Sequence, residues 1–216
     1  MALMPTPAET EKIAENVYAL RDGHVNVYAY VKGVDAVCVD SGFGGPRLKA
    51  QFENVGVDPS KVSHIFLTHS DRDHTRGLSM FPNAKILMSK DEEQMTDGRR
   101  ARFFGLVKNK LPVTKYELLS DGETITVGAI KVTAISTPGH TPGSMSYLID
   151  DCLFTGDTLV LKDGKAKTTM GFINMDTKVE EESIRKLARL SGIRLLATGH
   201  SGYSLDFQKA MTEWVK

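Results

Sequence analysis

The sequence predicts a mixed α/β (α+β) domain in which two β-sheets pack together with helices on their outer sides. Three observations lead there. Short β-rich runs cluster twice along the chain, each cluster is followed by helix and strand, and both halves end a strand in a polar, histidine-bearing loop. The 216 residues suit one domain spanning 1–216, on a scale of about 100–200 residues per domain. The 19 glycines speak for many turns rather than a helical bundle.

The elements follow in order. Val17–Leu20, Val25–Val31 and Ala36–Val39 are β-rich and broken at Gly23 and Gly33, which reads as an antiparallel meander. A helix is expected from about Pro46 to Asn54, then a strand over Val62–Thr68 and another over Lys85–Met88. A helical segment is expected to start near Lys90, with Asp91, Glu92 and Glu93 suited to its N-terminal turn. A second strand cluster covers Tyr116–Leu119, Thr124–Val127, Ile130–Ile135, Ser144–Ile149 and Cys152–Thr155. Helix Lys178–Leu190, strand Arg194–Ala197 and helix Leu205–Val215 complete the pattern.

Composition excludes several classes. Lys plus Arg number 27 and Asp plus Glu 27, so the formal charge is zero and no global field draws the chain to nucleic acid or an anionic membrane. Only Cys38 and Cys152 occur, each inside an apolar run where a small buried hydrophobe fits, which rules out a disulfide framework. No run approaches the ~18–20 apolar residues of a membrane span. Met1-Ala-Leu-Met-Pro-Thr-Pro7 has neither a basic flank nor an apolar signal core, so a cytoplasmic location is expected.

The histidines are the informative residues. Four of the six follow strand-like runs: His69 and His74 after Ile65–Thr68, His140 after Val132–Ile135, and His200 after Leu195–Gly199. The first group, Thr68-His-Ser-Asp-Arg-Asp-His74, places donors at 69, 71, 73 and 74. A helix or strand gains nothing from that density, whereas a divalent ion takes His nitrogen and Asp oxygen at ~2.0–2.2 Å; a solvated polar loop is the bland alternative. His140 stands between two Pro-Gly turns in Ser136-Thr-Pro-Gly-His-Thr-Pro-Gly143, and Asp157 follows an apolar strand in Phe154-Thr-Gly-Asp-Thr158. Singly each could be turn chemistry; together, in order and at strand ends, they suggest one metal-binding edge.

The pattern His-x-x-x-Asp-His, then a Pro-Gly-His turn, then Gly-Asp, then a late Gly-His, resembles the metallo-β-lactamase superfamily over almost the whole chain, and Val37-Cys-Val-Asp-Ser-Gly42 matches its strand-Asp-Gly opening. The resemblance implies a four-layer αββα sandwich and two divalent ions. One would be bound by His69, position 71 and His140, a second by Asp73, His74 and His200, with Asp157 bridging and Asp40 as a supporting acid. His24 and His64 match no family position and read as ordinary surface or core histidines.

Position 71 departs from most of the family, which has His where this chain has Asp71. The acid is ~2 Å shorter on standard bond lengths, so the first ion is the one in question. Two ions and a hydroxide with Asp71, Asp73 and Asp157 sum to neutral, which shifts preference from Zn toward harder ions such as Mn or Fe. The expected activity is hydrolysis: hydroxide held by the ions attacks an ester, thioester, lactone or amide carbonyl of a small substrate, and Asp73 orients it and relays the proton. An acid at position 71 also resembles the flavodiiron proteins, so iron-dependent redox chemistry on oxygen, nitric oxide or persulfides is an alternative; a binding or sensing protein on the same fold is another. The length suggests no room for the glutathione-binding or nucleic-acid-handling additions of related hydrolases, so neither nucleic acid nor membrane is expected as a partner.

Residues 98–115 hold Arg99, Arg100, Arg102, Lys108, Lys110 and Lys115 and no acid. A solvated face is the favoured reading and recruitment of an anionic substrate the alternative, while Phe103, Phe104, Leu106 and Val107 suit an apolar lid or a homodimer contact. Tyr203 reads as a packed loop tyrosine rather than a substrate contact.

Overall fold

The computed structural model describes residues 6–215; Met1–Pro5, on which much of the N-terminal leader reading rests, lie outside the described residues. A seven-stranded sheet carries β1 (Glu11–Ala14), β2 (Val17–Asp22), β3 (Val25–Lys32), β4 (Asp35–Val39), β5 (Val62–Phe66), β6 (Lys85–Ser89) and β7 (Glu117–Leu119) in sequential order. Hairpins make β1–β4 antiparallel, as the meander predicts. From β4 to β7 the pairing is parallel, because each return needs a crossover.

The second sheet comprises β8 (Thr124–Val127), β9 (Ile130–Ser136), β10 (Met145–Ile149) and β11 (Cys152–Phe154). After a separate ribbon of β12 (Val160–Lys162) and β13 (Lys165–Lys167), it is completed by β14 (Leu195–Ala197) and β15 (Tyr203–Ser204). Its order is β15-β14-β11-β10-β9-β8. The helices are α1 (Gly45–Asn54), α2 (Arg72–Thr75), α3 (Glu93–Thr96), α4 (Arg102–Gly105), α5 (Thr177–Ala188) and α6 (Phe207–Met211).

Alternation along the strands produces the layers. On β3, Tyr28 and Tyr30 turn inward with Val37, Val39 and Phe66 to meet Val132, Tyr147 and Leu195 of the other sheet. Val27 and Ala29 turn outward with Cys38 and Ile65, against Leu48 and Phe52 of α1. Leu153 and Leu196 face outward against Ile184 and Leu187 of α5 and Phe207 of α6. Strands covered on both faces read as continuous apolar runs rather than clean alternation, and the result is the expected αββα sandwich. Pro46 suits the first turn of α1, and the Asp176 carboxylate caps α5 by accepting from the Lys178 and Val179 amides. Cys38 and Cys152 are buried free thiols.

Several boundaries differ from expectation. The strand expected to reach Thr68 ends at Phe66, because the Thr68 amide turns to the Asp40 carboxylate instead of the ladder. The residue 116–119 strand joins the first sheet beside β6, not the second cluster. The segment at Lys90 is a 3-10 turn plus one short helix, and the last helix is confined to Phe207–Met211. β1, β12, β13 and β15 carry too few residues for a periodicity signal.

Candidate metal centre

Every candidate ligand follows the C-terminal end of a strand at one edge of the sandwich. Asp40 follows β4; His69 and Asp71 follow β5; Asp73 and His74 lie on α2; His140 lies between β9 and β10; Asp157 follows β11; and His200 follows β14. Backbone hydrogen bonds lock the loops together within and between the sheets: the Met145 amide donates to the Thr68 carbonyl, Ser41 to His74, Gly199 to Gly156 and Asn26 to Gly199, each at 2.8 Å. Gly199 is required by close approach, since a Cβ there would stand 2.3 Å from Asp157 Oδ1.

The residues gather into two halves that share Asp157. In one, His140 Nε2 lies 3.3 Å from Asp71 Oδ2 and 3.6 Å from Asp157 Oδ2, and His69 Nε2 lies 3.6 Å and 4.0 Å from the same atoms. In the other, His200 Nε2 is 3.1 Å from Asp157 Oδ2 and 3.4 Å from Asp73 Oδ2, while His74 Nε2 is 3.4 Å from Asp157 Oδ1 and 3.3 Å from His200 Nε2. The outward nitrogens are held: Asp40 accepts from His74 Nδ1 at 2.8 Å, the His24 carbonyl from His200 Nδ1 at 2.6 Å, and Asn174 Oδ1 faces His140 Nδ1 at 3.2 Å. Such partners fix the ring tautomer and leave Nε2 for the centre. Asp40 holds φ at 61°, a left-handed conformation that Asp tolerates.

The electrostatics are those of an ion site. Burial opposes ionisation of Asp157, yet His200 and His74 hold its carboxyl well below the usual range. Burial likewise opposes charge on His74, but Asp157, Asp40 and Asp73 raise its pKa well above the ordinary value. The carboxylates demand cations, which protons or metal ions supply. Three buried polar atoms of the site, His69 Nε2, Asp157 Oδ1 and Arg102 Nε, have no hydrogen-bond partner; the first two are acceptor positions, an arrangement that costs free energy unless a further group binds there. These residues fit divalent metal.

Three residues enter the site that sequence reasoning placed elsewhere. His24, read as an ordinary histidine, stacks on His200 with ring centroids 5.5 Å apart and sets Nε2 3.4 Å from Asp73 Oδ2. Arg102, assigned with its segment to a solvated face, is 4% exposed and points into the first half, whereas the other five basic residues of that segment are exposed. Glu92, read as a helix-turn acid, is fully buried and accepts from Ser70 N and Oγ, Thr141 Oγ1 and Gly143 N, tying the His69 loop to the His140 loop. Their positions arise from long-range contacts that no local spacing signals. His64 stands apart, stacked on Phe66, and the Tyr203 hydroxyl donates to Glu11.

Residues 20–200 match the sequence profile of the metallo-beta-lactamase superfamily. This chain belongs to that superfamily. Among superfamily relatives, the uncharacterized protein YobT of Bacillus subtilis is 30% identical over 200 residues, covering 83% of this chain and 84% of YobT. The probable polyketide biosynthesis zinc-dependent hydrolase BaeB of Bacillus velezensis is 34% identical over 127 residues, 57% of this chain, and the match spans about half (49%) of BaeB. In fold, the chain superposes on a B3 metallo-beta-lactamase described as having an active-site glutamic acid, with a TM-score of 0.72 at 20% identity, covering 97% of this chain and 90% of that one. No helix among the described residues is long and apolar enough to cross a membrane.

Proposed function

We propose that the chain is a metal-dependent hydrolase, one domain over residues 1–216, that cleaves an ester, thioester, lactone or amide bond of a small substrate. The observation that carries this reading is the gathering of His69, His140 and Asp157 and of His74, Asp157 and His200 into two groups of donor atoms, in which buried His69 Nε2 and Asp157 Oδ1 have no hydrogen-bond partner. His69, Asp71 and His140 would hold one divalent ion and Asp73, His74 and His200 another, with Asp157 common to both. The zinc-dependent description of BaeB supports zinc, and Asp71 adds an oxygen donor that also suits manganese or iron.

Bound divalent ions supply Lewis acidity for the substrate carbonyl and lower the pKa of water. Asp73, 21% exposed at the rim, accepts the proton of the attacking water and passes it to the leaving group; His24 beside it orients that carboxylate. A cavity of about 650 Å³ opens next to the first half, lined by Asp71, Asp73, Arg72, Arg76, Lys108 and Lys110. Five cations at its wall, Arg102 among them, suit a small anionic substrate, and Phe103 and Val107 line it as an apolar lid.

The test is metal content of anaerobically purified protein together with turnover on a panel of esters, thioesters, lactones and amides. Zinc or manganese with turnover of one bond class is expected. Stoichiometric iron with visible absorption would assign redox chemistry instead, and metal-loaded protein inert on the whole panel would assign binding or sensing.

A further inference from the structure

Arg102 occupies an unusual place. Its guanidinium is held by two backbone carbonyls, Nη1 donating to His140 O at 2.6 Å and Nη2 to Ile173 O at 2.7 Å. So anchored, Nε stands 3.1 Å from Asp71 Oδ2 as an ion pair without a hydrogen bond of its own, and Nη2 stands 3.2 Å from His140 Nε2. The other Asp71 oxygen accepts from Asn109 Nδ2 at 2.8 Å.

The tautomer of His140 makes this decisive. Asn174 donates through Nδ2 to Glu180 at 2.6 Å, which directs its Oδ1 at His140 Nδ1. An acceptor at Nδ1 puts a proton there, and in the neutral ring Nε2, set between Arg102 Nη2 at 3.2 Å and Asp71 Oδ2 at 3.3 Å, keeps one lone pair. That pair takes either an Arg102 N–H or a metal ion, not both. Arg102 does not deprotonate, so an ion enters only if the side chain is moved and its bonds to two carbonyls are broken. A fixed positive charge in a buried site also opposes a neighbouring dication.

The second half differs. His74 and His200 have their Nδ1 atoms engaged by Asp40 and the His24 carbonyl, and their Nε2 atoms meet 3.3 Å apart beside Asp157.

We propose that the Arg102 guanidinium is a built-in cation in the first half of the centre, so that the chain binds one divalent ion tightly at Asp73, His74, Asp157 and His200 and a second weakly, in competition with Arg102. This rests on the metal-hydrolase reading above and specifies which half of the site is filled first.

The experiment is a chelator-buffered Zn²⁺ titration of the full chain, with the retained metal counted after gel filtration. For the wild type we expect one retained ion per chain and a second step about 100-fold weaker or more. Arg102→Met should strengthen the second step about tenfold or more and leave the first unchanged. Arg102→Lys keeps a cation but lacks the planar fork that spans Asp71 and His140, and it gives the same direction of change if the Met variant does not fold, folding being checked by circular dichroism. Two ions of equal affinity in the wild type, or a second step unmoved in a folded Arg102 variant, overturns the proposal and leaves the hydrolase reading intact. No retained zinc in any variant overturns both.

Discussion

Asp40 Oδ2 accepts the Nδ1 proton of fully buried His74 at 2.8 Å, and the same carboxylate takes the Thr68 amide and hydroxyl, each at 2.8 Å. One acid thus orients a candidate ligand on α2 and pins the loop that presents His69. Partners of this kind are worth roughly 10- to 100-fold in metal affinity. Asp40→Ala should lower zinc affinity by about that range, read by chelator competition. An unchanged affinity would show that the Asp40 contact does not tune metal binding by His74.

Removing metal should destabilise the fold. An ion present at 100 times its Kd contributes about 2.7 kcal/mol, and each kcal/mol shifts Tm by about 2–4 °C in a chain of this size. Treatment with a chelator should therefore lower Tm by about 5–10 °C in calorimetry, and added Zn²⁺ should restore it.

Asp73→Asn keeps the shape of the side chain and removes its basicity. If Asp73 carries the proton, kcat of the variant loaded with saturating Zn²⁺, its metal content verified by mass spectrometry, should fall about 10²- to 10⁴-fold. Wild-type turnover with metal bound would remove Asp73 from the chemistry.

Glu92 receives four donors in a fully buried position. Glu92→Gln places an amide N–H₂ against groups that themselves donate, leaving buried donors unsatisfied at about 1–3 kcal/mol. Chemical denaturation should show that loss. Metal binding at His69 and His140 should weaken more than binding at His200, since only the first two loops are tied by Glu92.

Burial pushes the Glu180 carboxyl up from 4.5 to about 7, against hydrogen bonds from Thr169 that lower it. The unfolded chain releases this proton near its ordinary pKa while the folded chain keeps it, so the contribution of Glu180 to stability falls as pH rises from about 4.5 to 7 and is constant above that. Glu180→Gln, compared with wild type by urea denaturation across that range, should lose this downward slope; an identical slope would place Glu180 outside the titration.

The legible part of the site is local. The loop His69–His74 crowds four donors into six residues, and His140, Asp157 and His200 each end an apolar strand, so chemistry and element order coincide in the chain itself. Arg102, His24 and Glu92 were invisible for the opposite reason. The separations in sequence are 38 residues for Arg102 and His140, 176 for His24 and His200, and 22 and 49 for Glu92 with Ser70 and Thr141, and nothing in the neighbouring residues marks these meetings. Arg102 even sits among exposed cations, where charge patterning points to solvent. The strand at Glu117–Leu119 was placed in the wrong sheet because three residues carry no record of which edge they join.

Sequence alone determined the class of fold, the strand-end placement of the histidines and carboxylates, and the substitution of Asp71 for an imidazole, because apolar periodicity and donor spacing are properties of contiguous residues. Tertiary structure decided which charges face one another. It buried Arg102 against Asp71 and His140, brought His24 onto His200, and joined two ligand loops through Glu92, because pairings between distant segments are set by packing the two sheets together and have no local signature.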